Sequence, residues 1–246
     1  MNTEQRIEYI INWIKEYCNS VSFQPVTLVV GVSGGVDSAV ASTLSAKTGL
    51  NTIAVSMPIK QNPSQHNLSV KHLYWLNSKF NNVTSKIINL DNVFSSFEKT
   101  MSNFKNDLSF ANSRSRIRMT TLYQIAQFNQ GIVVGTGNKV EDFGVGFFTK
   151  YGDGGVDISP LADCNKTHVW DMASHLSIIG EIIKAPPTDG LWDDSRNDED
   201  QLGLTYRQLE EAMRDKNSKY YEKYLKIREL NLHKMLPIPV CIIEKD

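Results

Sequence analysis

The stretch Gly31-Val32-Ser33-Gly34-Gly35-Val36-Asp37-Ser38 constrains this chain more than any other. It follows Val26-Thr27-Leu28-Val29-Val30, an apolar, β-branched run with the character of a buried strand. It precedes Ala39-Val40-Ala41-Ser42-Thr43-Leu44, small and apolar residues that read as a helix. The segment is therefore a strand–loop–helix turn. Gly34 and Gly35 let the backbone turn tightly and approach a ligand closely. The helix start offers free N–H groups and a partial positive charge to an anion. Ser33 and Ser38 add hydroxyl donors. Asp37 would repel a phosphate, so it fits this loop when a divalent cation lies between the two.

The loop lacks the Gly-Lys-Ser/Thr ending of a Walker loop. It also lacks the third glycine of the dinucleotide fingerprint. An ordinary Gly-rich turn that binds nothing is the bland alternative, and six matched residues in the right context weigh against it. Ser-Gly-Gly-Val-Asp-Ser resembles the pyrophosphate loop of enzymes that cleave ATP to AMP and pyrophosphate. NAD synthetases, GMP synthetases, asparagine synthetases and tRNA-thiolating enzymes share it, so the loop alone does not choose among them.

A chain of 246 residues suits one α/β domain, or a domain with a small appendage, and is long enough to bury a sizeable core. A formal net charge of −1 leaves no general basic surface asking for nucleic acid, which weakens the tRNA-modifying reading. Cys18, Cys164 and Cys241 lie far apart and match no metal or disulfide pattern, so buried thiols in a reducing, cytoplasmic setting are expected. Met1 to Arg6 show no basic region followed by an apolar run, so no secretion signal is expected. No apolar stretch has the length of a membrane span.

Ile7, Ile10, Ile11 and Ile14 fall at helical spacing, with Trp13 and Tyr17 widening the stripe. Thr52 to Met57 reads as a second strand, ended by Pro58. Strand, helix and strand at this spacing predict a βαβ unit, a parallel sheet and a right-handed crossover. Ligands in such sheets bind beyond the carboxyl ends of the strands, which puts Ser56 to Ile59 beside the phosphate loop, where an adenosine would lie. A helix through Leu73, Trp75 and Leu76 follows, then a third strand over Lys86 to Leu90. A helical tract runs from about Ser113 to Asn129, and Gly131 to Val134 is a fourth strand. Lys166 to Leu176, Tyr206 to Lys216 and Tyr220 to Leu230 suit helices. Ala185 to Glu199, with two prolines, a glycine and five acids, reads as a mobile surface segment of the kind that forms lids. Pro237 to Val240 reads as extended.

Four further segments carry chemistry. Arg114, Arg116 and Arg118 alternate on a helix and cannot all face one way, so at least one points toward the site; a solvated basic face is the bland reading. Gly135-Thr136-Gly137-Asn138-Lys139-Val140-Glu141 stands at a strand's carboxyl end, and Glu141 is a second acid able to share a cation with Asp37. Phe147-Phe148-Thr149-Lys150-Tyr151-Gly152-Asp153-Gly154-Gly155-Val156-Asp157 runs on to Pro160-Leu161 and Lys166, with the Gly, Asp and Lys density of a polar-ligand loop. Asp198 to Tyr206, with His233-Lys234 near the end, is the fourth.

In this order the motifs resemble the ammonia-dependent NAD+ synthetases, from about Gly31 to Lys234. The resemblance implies a Rossmann-like, doubly wound parallel α/β sheet of about five strands flanked by helices. It implies one NAD synthetase domain over residues 1–246 with no glutaminase domain, and free ammonia as nitrogen source. It implies that the nicotinate carboxylate of deamido-NAD attacks the α-phosphate of ATP, giving an acyl adenylate and pyrophosphate, and that ammonia then displaces AMP. Carried over, Gly31 to Ser38, Thr136, Lys166 and Thr188 match ATP contacts. Asp37 and Glu141 match Mg2+ ligands. Arg116, Lys150, Asp157, His233 and Lys234 match deamido-NAD contacts, and Asp153 stands where an acid holds ammonium or takes its proton. The resemblance also implies a homodimer, with some contacts coming from the second subunit.

Two departures stand out. The stretch Asp142-Phe143-Gly144-Val145-Gly146 is one residue longer than the family wording, and Pro186-Pro187-Thr188 carries an extra residue. The competing classes are a nucleotide-binding sensor on the same sheet, which has no need of Asp37, Glu141 and Lys166 together, and an ATP-pyrophosphatase amidating a different carboxylate.

Overall fold

The computed structural model describes residues 1–24, 26–61, 63–187 and 197–243. Strands β1 (Thr27–Gly31), β2 (Thr52–Ser56), β3 (Val83–Ile87) and β4 (Gly131–Val134) form one sheet in the order β3-β2-β1-β4. All three pairings are parallel. This is the doubly wound α/β arrangement expected, with four strands among the described residues. A single parallel bridge from Val134 to Ile158 marks the next position beyond β4 and goes no further.

Alternation along the strands sorts the core. Leu28, Val30, Ile132 and Val134 point to one face, where they meet α1 (Thr3–Ser20), α2 (Val36–Lys47) and α6 (Lys166–His175). Val29, Val55 and Val133 point to the other, against α4 (Asp91–Thr100) and α5 (Asp107–Phe128). Helix α2 is buried from Ser38 to Ala46, which explains its run of Ala, Ser and Thr: neighbouring helices and the sheet close on it from several sides. Its hydroxyls bond back to carbonyls one turn earlier, as Ser42 and Thr43 do to Ala39.

Helix α3 (Pro63–Lys79) joins β2 to β3. The third strand lies at Val83–Ile87, three residues before the segment expected from the apolar density of Lys86 to Leu90. Register explains the difference: Val83 to Ile87 pair with Thr52 to Ser56, and Ile88 and Leu90 only continue the line by donating to the Ser56 and Pro58 carbonyls. Helix α5 starts at Asp107, six residues before the expected start, capped by the Asn106 side chain.

Beyond the sheet, a short helix α7 (Gly180–Lys184) follows α6. Helices α8 (Asp198–Leu202), α9 (Tyr206–Arg214) and α10 (Tyr221–Met235) pack Leu202, Leu204, Leu209 and Tyr224 against Val140 and Val145. Cys18 and Cys164 are buried free thiols, and Cys241 is an exposed one. No helix among the described residues is long and apolar enough to cross a membrane.

Candidate active site

A cavity of about 700 Å³ opens at the carboxyl ends of the strands, where parallel sheets place their ligands. All eight residues from Gly31 to Ser38 line it. Gly35 caps α2 in extended conformation, and Gly34 has φ +96°, a value open to glycine and strained for other residues. The loop serines brace it: the Ser33 and Ser38 hydroxyls are 3.0 Å apart, and Ser38 donates to the Gly35 carbonyl at 2.9 Å.

Across the loop stand three charges. The Lys166 ammonium, at the start of α6, bonds Asp37 Oδ2 at 2.5 Å and Glu141 Oε1 at 2.8 Å. Lys166 is 2 % exposed. Burial alone would push its ammonium down; the two carboxylates override this and hold it up. Burial likewise pushes the Glu141 carboxyl up, and Lys166, aided by hydrogen bonds from Tyr206 and Asn138, brings it below its ordinary range. Asn138 organises the pair. Its Nδ2 donates to Asp37 Oδ1 at 2.9 Å, while its Oδ1 accepts from the Val140 and Glu141 N–H groups.

Tyr206 closes this network from behind. Its hydroxyl donates to Glu141 and lies 3.1 Å from Asp198 Oδ2. Its ring lies 4.8 Å from the Lys166 ammonium and meets Trp170 edge-on. Asp198 and Tyr206 are the two ends of the fourth sequence segment, which gives neither of them a role; Glu141, which Tyr206 bonds, lies 65 residues earlier, too far for a local pattern to connect them.

Glu141 sits in a π-helix, Lys139–Val145, which ends at Gly146 with φ +69°. A widened turn is how a helix takes up an added residue, and this is the stretch one residue longer than the family wording. Its loosened carbonyls find donors: Arg228 Nη1 bonds both Phe143 O and Gly144 O at 2.6 Å. The following residue, Asp142, lines the cavity and packs on Gly137, where a Cβ would stand 1.8 Å from Asp142 Oδ2. Burial pushes the Asp142 carboxyl up, and Asp153, Glu141 and Asp37 push it further.

Asp153 lines the same cavity, on a turn held to α5. Its Oδ1 accepts from the Ser115 hydroxyl at 2.7 Å and from the Thr149 N–H at 3.0 Å. Thr136 and Lys234 also line the cavity. Lys150 lines a second, smaller one of about 330 Å³, which Asp153 and Lys234 share. Lys150 and Lys234 each donate to a main-chain carbonyl, of His233 and Phe148. Arg116, Asp157 and His233 line neither cavity. Arg116 bonds the Lys150 carbonyl, and Asp157 accepts from Tyr123 and the Val133 N–H. Of the alternating arginines, Arg118 is the one that faces the large cavity. Thr188 and most of the expected lid fall outside the described residues.

Among the described residues no group of three or more His, Cys, Asp or Glu side chains has the arrangement of a protein metal cage. Asp37, at the end of the Gly31–Ser38 loop, and Glu141, facing it, have instead the chemistry of a magnesium–nucleotide donor set, in which one or two carboxylates share the ion with phosphates. The donors present fit that ion.

A glycine-rich loop on a helix start, faced by two carboxylates and a buried lysine across a parallel sheet, defines an ATP-using enzyme. The NAD synthase family model matches residues 6–243. The NH3-dependent NAD+ synthetase of Carboxydothermus hydrogenoformans is 35% identical over 215 residues, covering 85% of each chain. That of Mesoplasma florum is 34% identical over 239 residues, covering 96% of this chain and 93% of its own. The solved structure of NMN synthetase from Francisella tularensis superposes with a TM-score of 0.89 at 29% identity, covering 98% of this chain and 99% of that one. The chain belongs to the NAD synthase family. It is an ATP-dependent ligase forming a C–N bond, with ATP, deamido-NAD and ammonia as the substrates that the family implies.

Proposed function

We propose that the cavity joins ammonia to the nicotinate carboxylate of deamido-NAD through an acyl adenylate, and that Lys166, Asp37 and Glu141 form its charge centre. The observation that carries this reading is the bonding of one buried ammonium to both carboxylates at the mouth of the Gly31–Ser38 loop. In the first step a carboxylate oxygen bonds to the α-phosphorus and the bond to the β-phosphate oxygen breaks. Pyrophosphate leaves with the electron pair. Two anions must meet, so positioning and charge neutralisation supply the catalysis, and no protein nucleophile is needed.

The loop N–H groups, Ser33, Ser38 and Lys166 hold the terminal phosphates, with Thr136 and Thr188 as further ATP contacts. Asp37 and Glu141 hold Mg2+, which when bound neutralises the pyrophosphate leaving group. In the second step ammonia attacks the acyl carbon, the bond to the phosphate oxygen breaks, and AMP departs. Asp153 holds ammonium beside the cavity or takes its proton to free the ammonia that attacks, and the proton lost on amide formation passes to the departing AMP or to water. Arg116, Lys150, Asp157, His233 and Lys234 serve deamido-NAD across a homodimer contact, which suits the three of them that line neither cavity of a single chain. Residues 1–246 act as one synthetase domain in the cytoplasm, taking free ammonia.

One observation favours a second reading. The fold neighbour at a TM-score of 0.89 is named an NMN synthetase, and the carboxylate corresponding to that product is nicotinate mononucleotide. Pyrophosphate release from ATP and ammonium, compared among deamido-NAD, nicotinate mononucleotide, xanthosine monophosphate and aspartate, tests both. The primary reading expects deamido-NAD to give the highest kcat/KM. A preference for the mononucleotide installs the second reading, and turnover of neither nicotinate substrate overturns both.

A further inference from the structure

Arg118 has no assigned role, yet its setting is specific. On α5 its Nε donates to the Met57 carbonyl at 3.0 Å. Met57 follows β2, and its Cε would stand 3.5 Å from a Cβ built on Gly31, the first residue of the phosphate loop. Arg118 is thus fixed at the carboxyl edge of the sheet, half-buried, and lines the large cavity beside the loop.

Its charge has no salt-bridge partner among the described residues, and no protein acceptor among them takes its terminal N–H groups. Arg114, one turn earlier, has the same sign and presses on it. Asp153 is the acid that opposes this, and its Oδ1 is already committed to Ser115 and Thr149. Burial pushes the guanidinium down to about 10. A half-buried cation anchored by one nitrogen, with its planar fork turned to a cavity, is arranged to meet an oxyanion.

Position selects which anion. On the ATP-cleaving reading the terminal phosphates go to the Gly34–Ser38 helix start, where Lys166 stands. The Met57 edge of the sheet is where the nucleoside lies in a parallel α/β fold. The α-phosphate falls between the two. We propose that Arg118 binds the α-phosphate of the nucleotide and keeps hold of it through the acyl adenylate and AMP stages. This rests on the ATP-cleaving reading above and assigns a residue to the phosphorus centre where the bond is exchanged.

The test compares AMP with adenosine as calorimetric probes of the native chain, Arg118→Met and Arg118→Lys. Arg118→Met is expected to weaken AMP about tenfold or more and to leave adenosine within about twofold. Arg118→Lys, which keeps the charge without the fork, is expected to fall between. If AMP binding is unchanged, or AMP and adenosine weaken together, the inference is overturned. Should Arg118→Met fail to fold, the AMP-to-adenosine affinity ratio of Arg118→Lys decides: a fall of about threefold supports the contact, and an unchanged ratio refutes it. Failure of the wider reading shows separately, as a native chain that binds AMP through Arg118 and turns over neither nicotinate substrate.

Discussion

The Lys166 ammonium stands 2.5 Å from the Asp37 carboxylate, although 129 residues separate them along the chain. Their contact ties the first βα turn to the first turn of α6, with Glu141 on the other side of the same ammonium. Replacing Lys166 with Met leaves two buried acids without their cation. The expected loss is about 3–5 kcal/mol of stability, the usual cost of breaking a buried ion pair from one side. Pyrophosphate release is expected to fall by more than about a hundredfold in the same variant. Urea unfolding and a coupled pyrophosphate assay check the two, and near-native values in both would remove Lys166 from the charge centre.

Tyr206→Phe deletes one hydroxyl shared by Glu141 and Asp198 and keeps the ring on Lys166 and Trp170. The cost is expected at about 1–3 kcal/mol, because the one O–H that Glu141 and the buried Asp198 share is lost. Glu141 becomes freer to turn, so more Mg2+ is needed for half-maximal activity. Thermal melting and a magnesium titration measure the two effects; an unchanged magnesium requirement would show that the phenol does not orient Glu141.

His72 gives the clearest pH dependence. It is fully buried, bonds Ser42 at 3.0 Å and stacks on Trp75. Burial pushes its imidazole down to about 4, against an ordinary 6.5. The unfolded chain therefore takes up a proton before the folded one. Stability is full above about pH 6.5, falls as pH drops, and levels off below about pH 4, a loss of up to roughly 3 kcal/mol. Unfolding free energies across pH 4–7 should show this slope in the native chain and lose it in His72→Gln.

Gly152→Ala tests the ammonia-handling role proposed for Asp153. A Cβ there would meet Ser115 Oγ at 2.4 Å and Thr149 Cγ2 at 2.8 Å. Ser115 must then leave Asp153. Amide formation is expected to drop about tenfold or more while AMP binding holds, and Asp153→Asn should show the same split. Equal damage to both would mean that Asp153 shapes the whole cavity and has no particular part in handling ammonia.

Local chemistry was the legible part of this chain. The turn from β1 to α2 is written in adjacent residues, so glycine, serine and the acid at Asp37 located the cavity mouth without a structure. Glu141 is legible from a motif at the carboxyl end of β4, where position along the strand already says which end of the sheet it occupies, and Lys166 only through the family resemblance. Facing is harder. Arg116 and Arg118 are two residues apart on α5, which turns them to different sides of the helix, and only the packing of α5 on β1 and β4 decides which side meets the cavity. Pairing is harder still. Tyr206 joins Glu141 across 65 residues and Asp198 meets that pair through Tyr206, and β3 took its register from β2 in place of its own most apolar segment.

The π-helix at Lys139–Val145 has a consequence for how two stretches of the cavity wall stay in step. Adding one residue to an ordinary helix swings everything after it by about 100°. Here the wider turn swallows that swing between Glu141 and the Thr149–Asp153 turn, which line the same cavity. The segment works as a slack link: length can change inside it while both ends keep their bearings. A chain of this design has room for drift in loop length between two stretches that wall one cavity.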